Sequence, residues 1–419
     1  MPEHLLILGN SAAALAAVRG VRAHGGEQPI TVVSREECSA YSPVLTTYYL
    51  RGRIPESQLF ICDLGYYRER DVECRFGRAA VELDAEAHRV TLDDGARLDY
   101  DRLLIATGAS AKRLSGFDPE IAAEICYLRT IEDGRRIRAA ALAARQAVVM
   151  GAGFVGLQVA CAVARPDLKV ICVVASRQIL SQNIDATCAE MLRAHLERSA
   201  NIEFLFGANV MQIARADGGY RVCLDSGEVL AADLLVAGKG VVPNIDFVDR
   251  QQITVDEGIL VDDHLRTSAD VVWAAGDLAQ GIDRISGKSE LVTNWIDACE
   301  QGAIAGANMA GVEVAFAGSV AENITTLFGA PMASIGITRS REGDGLREVT
   351  YIDEPRGVYR KLVLRGDALV GAVLLRDVAD AGVLRSAIVA GSEPWPSVEA
   401  AVRGHVTHAE RLKACLLGL

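Results

Sequence analysis

QAVVMGAGFVGLQVACAVARPDLKVICVV, residues 146–174, decides the fold. It opens with Gln146–Met150, five residues with the length and apolar density of a buried strand, and meets GAGFVG at Gly151–Gly156. A helical pattern from Leu157 to Ala164 follows, and a second apolar run, LKVICVV at 168–174, closes the unit. Strand, tight turn, helix, strand favours a parallel sheet with a right-handed crossover. Glycines at 151, 153 and 156 let backbone N–H groups and the positive end of the helix reach a pyrophosphate. GxGxxG alone is a weak signal; set between a strand and a helix it predicts a dinucleotide site.

The same grammar opens the chain. LLILG at 5–9 is a strand-length apolar run that meets GNSAAA at 9–14, a helix is predicted from about Ala12 to His24, and PITVV at 29–33 is the next strand. Ser11 and Ala14 stand where glycines would, so by itself this turn reads equally as a phosphate cradle or a plain turn. A longer echo supports the cradle. VTLDDGARLDYDRLLIATG (90–108) matches VCLDSGEVLAADLLVAGKG (222–240) nearly position for position, an offset of 132, while the glycine turns are offset by 142. Two similar nucleotide-binding halves therefore lie in one chain.

TSADVVWAAGD (267–277) is another buried strand ending at an acidic residue, and a helix from about Ile296 to Ala310 returns the chain to the first half. From about 318 short strands take over. YRKLVL and ALVGAVLL are joined as a hairpin across Arg365–Gly366–Asp367, with helical segments from there to the end. The expected fold is α/β, with two Rossmann-like three-layer ββα domains, the second inserted in the first, and a C-terminal α+β domain.

The chain has 419 residues, half of them apolar and 23% charged, enough for two or three domains with ample cores and unlike a disordered chain. A net charge of −12 and the lack of any Lys/Arg run argue against a nucleic-acid partner. The ten cysteines form no CxxC, which removes thiolate clips for zinc or an iron–sulfur cluster, and no metal site is expected. Reduced, mostly buried thiols fit a cytoplasmic protein. The apolar start lacks a basic leading segment and is broken by Asn10 and Ser11, so it reads as a strand and turn rather than a signal peptide. No apolar run reaches the ~18 residues of a membrane span.

An acidic residue about 20 positions past a dinucleotide turn normally binds the ribose 2′-hydroxyl. Ser34 and Val174 stand at those places, with Glu36 and Glu37 near the first and Arg177 near the second, so NADH and NADPH both stay open.

GNSAAA, YSPVLTTYYLRG (41–52), YDRLLIATGA (100–109), GAGFVGLQVA (151–160), GKGVVPN (238–244), AAGD (274–277) and NWIDACEQGAIAGANMAG (294–311) together resemble the pyridine nucleotide–disulfide oxidoreductase superfamily. Within it, the resemblance is to the branch of NAD(P)H-dependent rubredoxin and ferredoxin reductases, the flavin part of nitrite reductases, and flavin subunits of multi-subunit iron–sulfur oxidoreductases. The resemblance implies an FAD-binding domain at 1–113 and 241–317, an NAD(P)-binding domain at 114–240, and an interface or dimerisation-like domain at 318–419.

It also implies FAD on the first turn at Gly9, Ser11, Ala12 and Ala13, with Ser34, Arg35 and Glu36 at the following strand end and Ser42, Pro43 and Ala80 as further contacts. Ala106, Thr107 and Gly108 would approach from the sheet with Lys112 beyond them, Gly276 and Asp277 would meet the ribityl chain, and Trp295 would open a helix whose positive end faces the flavin. Asn294 is the expected cap of that helix, with Asp297 in its first turn. NAD(P) would lie on Gly151, Gly153, Phe154, Val155 and Gly156, with Gln158, Val174, Arg177, Gly238, Lys239 and Gly240 around it. No catalytic side chain is assigned, because the flavin does the chemistry.

Two departures shape the functional expectation. Alignment on Tyr48, Tyr49 and Gly52 puts Val44 where thiol-dependent members carry a flavin-adjacent cysteine, and Cys38 is six residues away. Gln158 replaces a glutamate common in the family, though its amide can still bond a carboxamide. The expectation is an FAD-dependent NAD(P)H oxidoreductase exchanging electrons with an iron–sulfur protein or subunit, in either direction, as a homodimer or within a larger complex. The alternatives are an NADH oxidase or small-molecule disulfide or persulfide reductase, and a flavoprotein relay subunit with a vestigial pyridine-nucleotide site.

Overall fold

The computed structural model describes residues 3–216, 218–341, 343–391 and 401–404, grouped in two compact units. The first comprises the chain up to residue 45, 55–110 and 241–321; the second comprises 46–54, 111–240 and the residues from 322 on.

The first unit is built on a five-stranded sheet in the order Val272–Ala274, Arg102–Ile105, Leu5–Leu8, Ile30–Ser34, Val72–Phe76, parallel throughout. Leu5–Leu8 is its centre and is buried on both faces, which explains a continuous apolar run in place of alternation. Helix Ala12–Ala23 packs on helix Trp295–Met309 through small residues: a Cβ at Gly302 or Gly306 would stand 2.1 or 2.3 Å from the carbonyl oxygens of Ala13 and Ala17. A three-stranded antiparallel sheet, Ala80–Asp84, Arg89–Leu92 and Arg97–Asp99, completes the layer pattern.

The second unit repeats the plan. Its parallel sheet runs Ile202–Phe206, Lys169–Val174, Gln146–Met150, Leu234–Ala237, and its antiparallel layer is Val210–Ala216, Gly219–Leu224 and Val229–Ala232. The sequence echo is thus a structural one: in each half an antiparallel pair feeds a buried parallel strand, Arg102–Ile105 or Leu234–Ala237. The helix after GAGFVG begins at Phe154 rather than Leu157, because Gly153 already serves as its N-cap.

The same unit holds a five-stranded antiparallel sheet, Glu322–Leu327, Ala330–Gly336, Ala368–Leu375, Val358–Arg365, Leu346–Asp353. The expected hairpin pairs Arg365 with Ala368, and helix Ala381–Ala390 follows. Most of the helical segments expected after it, and Cys415, lie outside the described residues. Tyr359, Arg360 and Lys361 are buried at 1, 0 and 1% exposure. Arg360 pairs with Asp380 at 3.1 Å, and Lys361 bridges Asp185 at 2.9 Å and Glu348 at 3.2 Å. Among the described residues no helix is long and apolar enough to cross a membrane.

Candidate functional site

Both parallel sheets end at a glycine turn into a helix whose first N–H groups no side chain takes up. In the first unit Gly9 has φ +120°, and a Cβ there would stand 2.0 Å from the Ala106 carbonyl oxygen and 3.2 Å from the Thr107 nitrogen. Ser11 caps helix Ala12–Ala23 in an extended conformation without a hydroxyl cap bond. By contrast, Asp118, Thr130, Asp185 and Asn294 all cap their helices with side-chain oxygens. Uncapped amides at Ala12 and Ala13, in line with the helix dipole, form an anion-accepting end.

Two further turns flank this end. Thr107 and Gly108 leave the central sheet beside Gly9, and Asn244 holds them: its Nδ2 donates to the Thr107 carbonyl at 2.8 Å, its carbonyl accepts from Thr107 Oγ1 at 2.7 Å, and its Oδ1 accepts from Ser110 Oγ at 2.6 Å. On the other side, a Cβ at Gly276 would lie 3.5 Å from the Ala13 methyl and 3.8 Å from that of Ala298. The half-buried Asp277 follows directly. Trp295 opens helix Trp295–Met309, which Asn294 caps as expected, its Oδ1 accepting from Asp297 N at 2.8 Å.

The remaining residues of the first set lie around this core less uniformly. Ser34 ends its strand buried, Arg35 is exposed, and Glu36 takes the Tyr41 hydroxyl at 2.8 Å. Ser42 donates its N–H to Leu59, Pro43 starts the short turn Pro43–Leu45, and Ala80 starts strand Ala80–Asp84. Lys112 falls in the other unit, where its N–H donates to the Gly240 carbonyl.

In the second unit Gly151 has φ +112°, and a Cβ there would meet the Gly238 carbonyl oxygen at 2.4 Å. Gly153 is the N-cap of helix Phe154–Val163, makes no side-chain cap, and has no atom within 4 Å of a Cβ built on it. That open space beside uncapped amides fits a pyrophosphate. Phe154 is half-buried and Val155 exposed over the turn, and Gly156 packs back on Gly151. Val174 is buried at its strand end and Arg177 is exposed beyond it. Lys239 is exposed in part, yet the protein around it desolvates its ammonium and lowers its pKa. Gly240 has φ +94°. Gln158 donates its Nε2 to Thr325 Oγ1 at 3.0 Å, a bond to the C-terminal sheet that the sequence pattern does not announce.

Six of the thiols are poorly suited to thiolate chemistry. Val44 is 56% exposed where the family thiol would stand. Burial raises the pKa values of Cys126, Cys172, Cys188 and Cys299, pushes that of Cys74 up to about 11 and that of Cys161 up to about 12, and so keeps these thiols protonated. Among the described residues one group has metal-ligand spacing, Asp262, Asp263 and His264, but Asp262 already accepts two backbone N–H groups and Asp263 the His264 ring.

A chain with two glycine-turn cradles, one per parallel sheet, each facing an uncapped helix, is a two-dinucleotide α/β protein. The family model for pyridine nucleotide-disulphide oxidoreductases matches residues 3–302, and that for the C-terminal domain of rubredoxin NAD+ reductase matches 323–392. The chain is 33% identical over 93% of its length to the epsilon subunit of an NADH-dependent phenylglyoxylate dehydrogenase from Aromatoleum evansii, covering 92% of it. It is 30% identical over 94% of its length to the ferredoxin–NAD(+) reductase component of an anthranilate 1,2-dioxygenase system from Burkholderia cepacia, covering 96% of that protein. The reductase of the putidaredoxin reductase–putidaredoxin complex shares the fold, at TM-score 0.86 and 23% identity over 96% of this chain and 99% of that one. The chain belongs to the pyridine nucleotide-disulphide oxidoreductase family, whose members bind FAD and NAD(P)H.

Three residues that shape the cradles were given no role from sequence: Thr325, and within quoted motifs Asn244 and Gln301, whose Oε1 accepts the Gly276 N–H at 2.7 Å. Gln301 carried a readable signal. Asn294, Asp297, Gln301 and Asn308 recur at helical spacing among small residues, so one face of that helix is polar.

Proposed function

We propose that this chain is an FAD-dependent oxidoreductase that moves electrons between NAD(P)H and an iron–sulfur protein or subunit. The observation that carries the reading is the pair of cradles, Gly9–Ala13 and Gly151–Gly156, each with an uncapped helix end and a glycine whose Cβ would strike backbone. FAD belongs on the first, with Thr107, Gly108, Gly276 and Asp277 at its flanks; NAD(P)H belongs on the second, with Gln158, Gly238, Lys239 and Gly240. FAD held there would supply a hydride acceptor that can release electrons singly. Around it the chain's own residues bind and orient: the Ser11–Ala13 amides take the pyrophosphate, Asp277 accepts ribityl hydroxyls, and the capped helix at Trp295 favours negative charge at its N-terminus.

Raised thiol pKa values and Val44 support an acceptor outside the chain over a disulfide relay within it. The relatives' names support an iron–sulfur partner, free or as a subunit of a larger complex, and a cytoplasmic setting completes the proposal. The domain roles follow the same reading: 1–113 with 241–317 for FAD, 114–240 for the pyridine nucleotide, and 318–419 for an interface. The test is NADH-driven reduction of a ferredoxin or rubredoxin by the FAD-loaded protein, followed at the cluster's absorbance. Reduction that disappears on removing FAD supports the proposal. Flavin that NADH reduces, but that passes electrons to O2 or disulfides and not to either cluster protein, refutes the partner class.

A further inference from the structure

Helix Trp295–Met309 carries a buried polar stripe among its small residues. Asp297 and Gln301 are each 2% exposed, and their polar atoms are spent on two segments of the first unit. Asp297 Oδ2 accepts the Val320 N–H at 3.2 Å and the Asn294 Nδ2 at 2.9 Å, and the Asn294 amide also reaches the Val320 carbonyl at 3.2 Å. Gln301 has a single consistent orientation. Its Oε1 accepts the Gly276 N–H at 2.7 Å, and its Nε2 donates to Ser319 Oγ at 3.3 Å.

Gly276 is the point where this stripe meets the first cradle. It has φ +85°, and its turn stands against Ala13 in the uncapped end of the first helix. The direction of the Gly276 N–H fixes the Ala275–Gly276 peptide plane, from which the chain turns through Gly276 to present the Asp277 carboxylate. A buried N–H that loses its acceptor costs enough to reorient a turn that has a solvated alternative.

We infer that Gln301 is a positioning residue for FAD: its amide oxygen fixes the Gly276–Asp277 turn against the pyrophosphate end of the first helix, and its amide nitrogen anchors that turn to Ser319. The inference rests on the assignment of FAD to the first cradle. It predicts that flavin retention depends on the acceptor at position 301 rather than on the volume there.

FAD-loaded wild-type protein, Gln301→Met, Gln301→Asn, Gln301→Glu and Ser319→Ala test it. Two readings are taken on each sample: FAD release on dilution, by flavin fluorescence, and unfolding of the chain on heating, by far-ultraviolet circular dichroism. Gln301→Met matches the volume without the acceptor, and Gln301→Asn withdraws it by one methylene. Both are expected to release FAD about ten- to a hundredfold faster, the factor carried by an unsatisfied buried N–H, with flavin leaving at a lower temperature than the chain unfolds. Gln301→Glu, which keeps an accepting oxygen, is expected to stay within about fivefold of wild type, and Ser319→Ala within about threefold. FAD release unchanged in Gln301→Met and Gln301→Asn, or release that only tracks an equal drop in unfolding temperature, overturns the inference and leaves Gln301 as packing. Wild-type protein that takes up no FAD overturns the cradle assignment itself, a separate result. Should Gln301→Met not fold, Gln301→Asn against Gln301→Glu decides the question alone.

Discussion

The two cradles follow one plan with different residues at the third position of the turn. In the second, a Cβ at Gly156 would stand 2.3 Å from the Gly151 carbonyl oxygen, and one at Gly238 would lie 2.9 Å from the Gly156 nitrogen, so turn, helix and neighbouring strand press together there. In the first, Ala14 holds the matching place, buried at 1%. The close approach sits instead at Gly302 and Gly306, where the partner helix crosses Ala13 and Ala17. The third glycine thus reports how tightly a helix packs on its sheet, whereas Gly9 and Gly151, at φ +120° and +112°, report the turn itself.

The largest effect expected on this comparison comes from breaking one turn at a time. Gly9→Val forces a side chain into the Ala106 carbonyl at a φ closed to it, a strain of about 3 kcal/mol or more. Protein purified from that variant should hold FAD at least ~100-fold more weakly. Gly151→Val should keep FAD and lose NADH binding by a similar factor. Flavin content and NADH titration of the two purified variants check this, and loss of both ligands in both variants would show that the cradles are not independent.

Next in size is the buried arginine of the second unit. Arg360→Met leaves Asp380, itself 2% exposed, without its guanidinium, and should destabilise by about 3–5 kcal/mol in urea unfolding. Substitution within about 1 kcal/mol would mean the pair is relaxed by water. A smaller effect is expected at the link between the second cradle and the C-terminal sheet. Thr325→Val removes the hydroxyl that holds Gln158 and should raise the NADH dissociation constant about fivefold, with FAD content unchanged, since a neutral hydrogen bond is worth about 1 kcal/mol. Calorimetric titration reads it, and an unchanged constant would detach Gln158 from the nucleotide.

The smallest effect is a pH dependence centred on Lys361 in the second unit. Burial opposes ionisation of Asp185 and Glu348, but the Lys361 ammonium and other bonds outweigh it, for Asp185 from the Tyr359 hydroxyl and Cys188 N–H, for Glu348 from Ser340, and both lie below their ordinary values. A folded-state value below the unfolded one stabilises at pH above about 4 and is lost as pH falls through the folded values. Melting temperature should therefore drop on acidification below about pH 4, and the slope should shrink in Lys361→Met. An unchanged slope in that variant would contradict the assignment.

Much of this fold was legible because its signals are local. Strand runs, glycine turns and the repeat between 90–108 and 222–240 are read from adjacent residues, and Leu5–Leu8, Gln146–Met150 and helix Trp295–Met309 lie where the pattern puts them. What stayed hidden joins residues far apart in the chain. Asn244 meets Thr107 across 137 positions and Gln158 meets Thr325 across 167, and periodicity carries no record of either. Tyr359–Lys361 reads as a strand from its setting, yet residue type alone would place Arg360 and Lys361 in water; their burial depends on Asp185, Glu348 and Asp380 arriving from elsewhere.

In the proposed function one cradle holds FAD and the other holds the NAD(P)H that supplies its hydride. Anaerobic titration of the FAD-loaded protein with NADH, and in parallel with NADPH, tests it by following the oxidised-flavin band. Prompt bleaching by one of the two, at close to one equivalent per flavin, is expected. Flavin that dithionite bleaches while neither pyridine nucleotide does would contradict it.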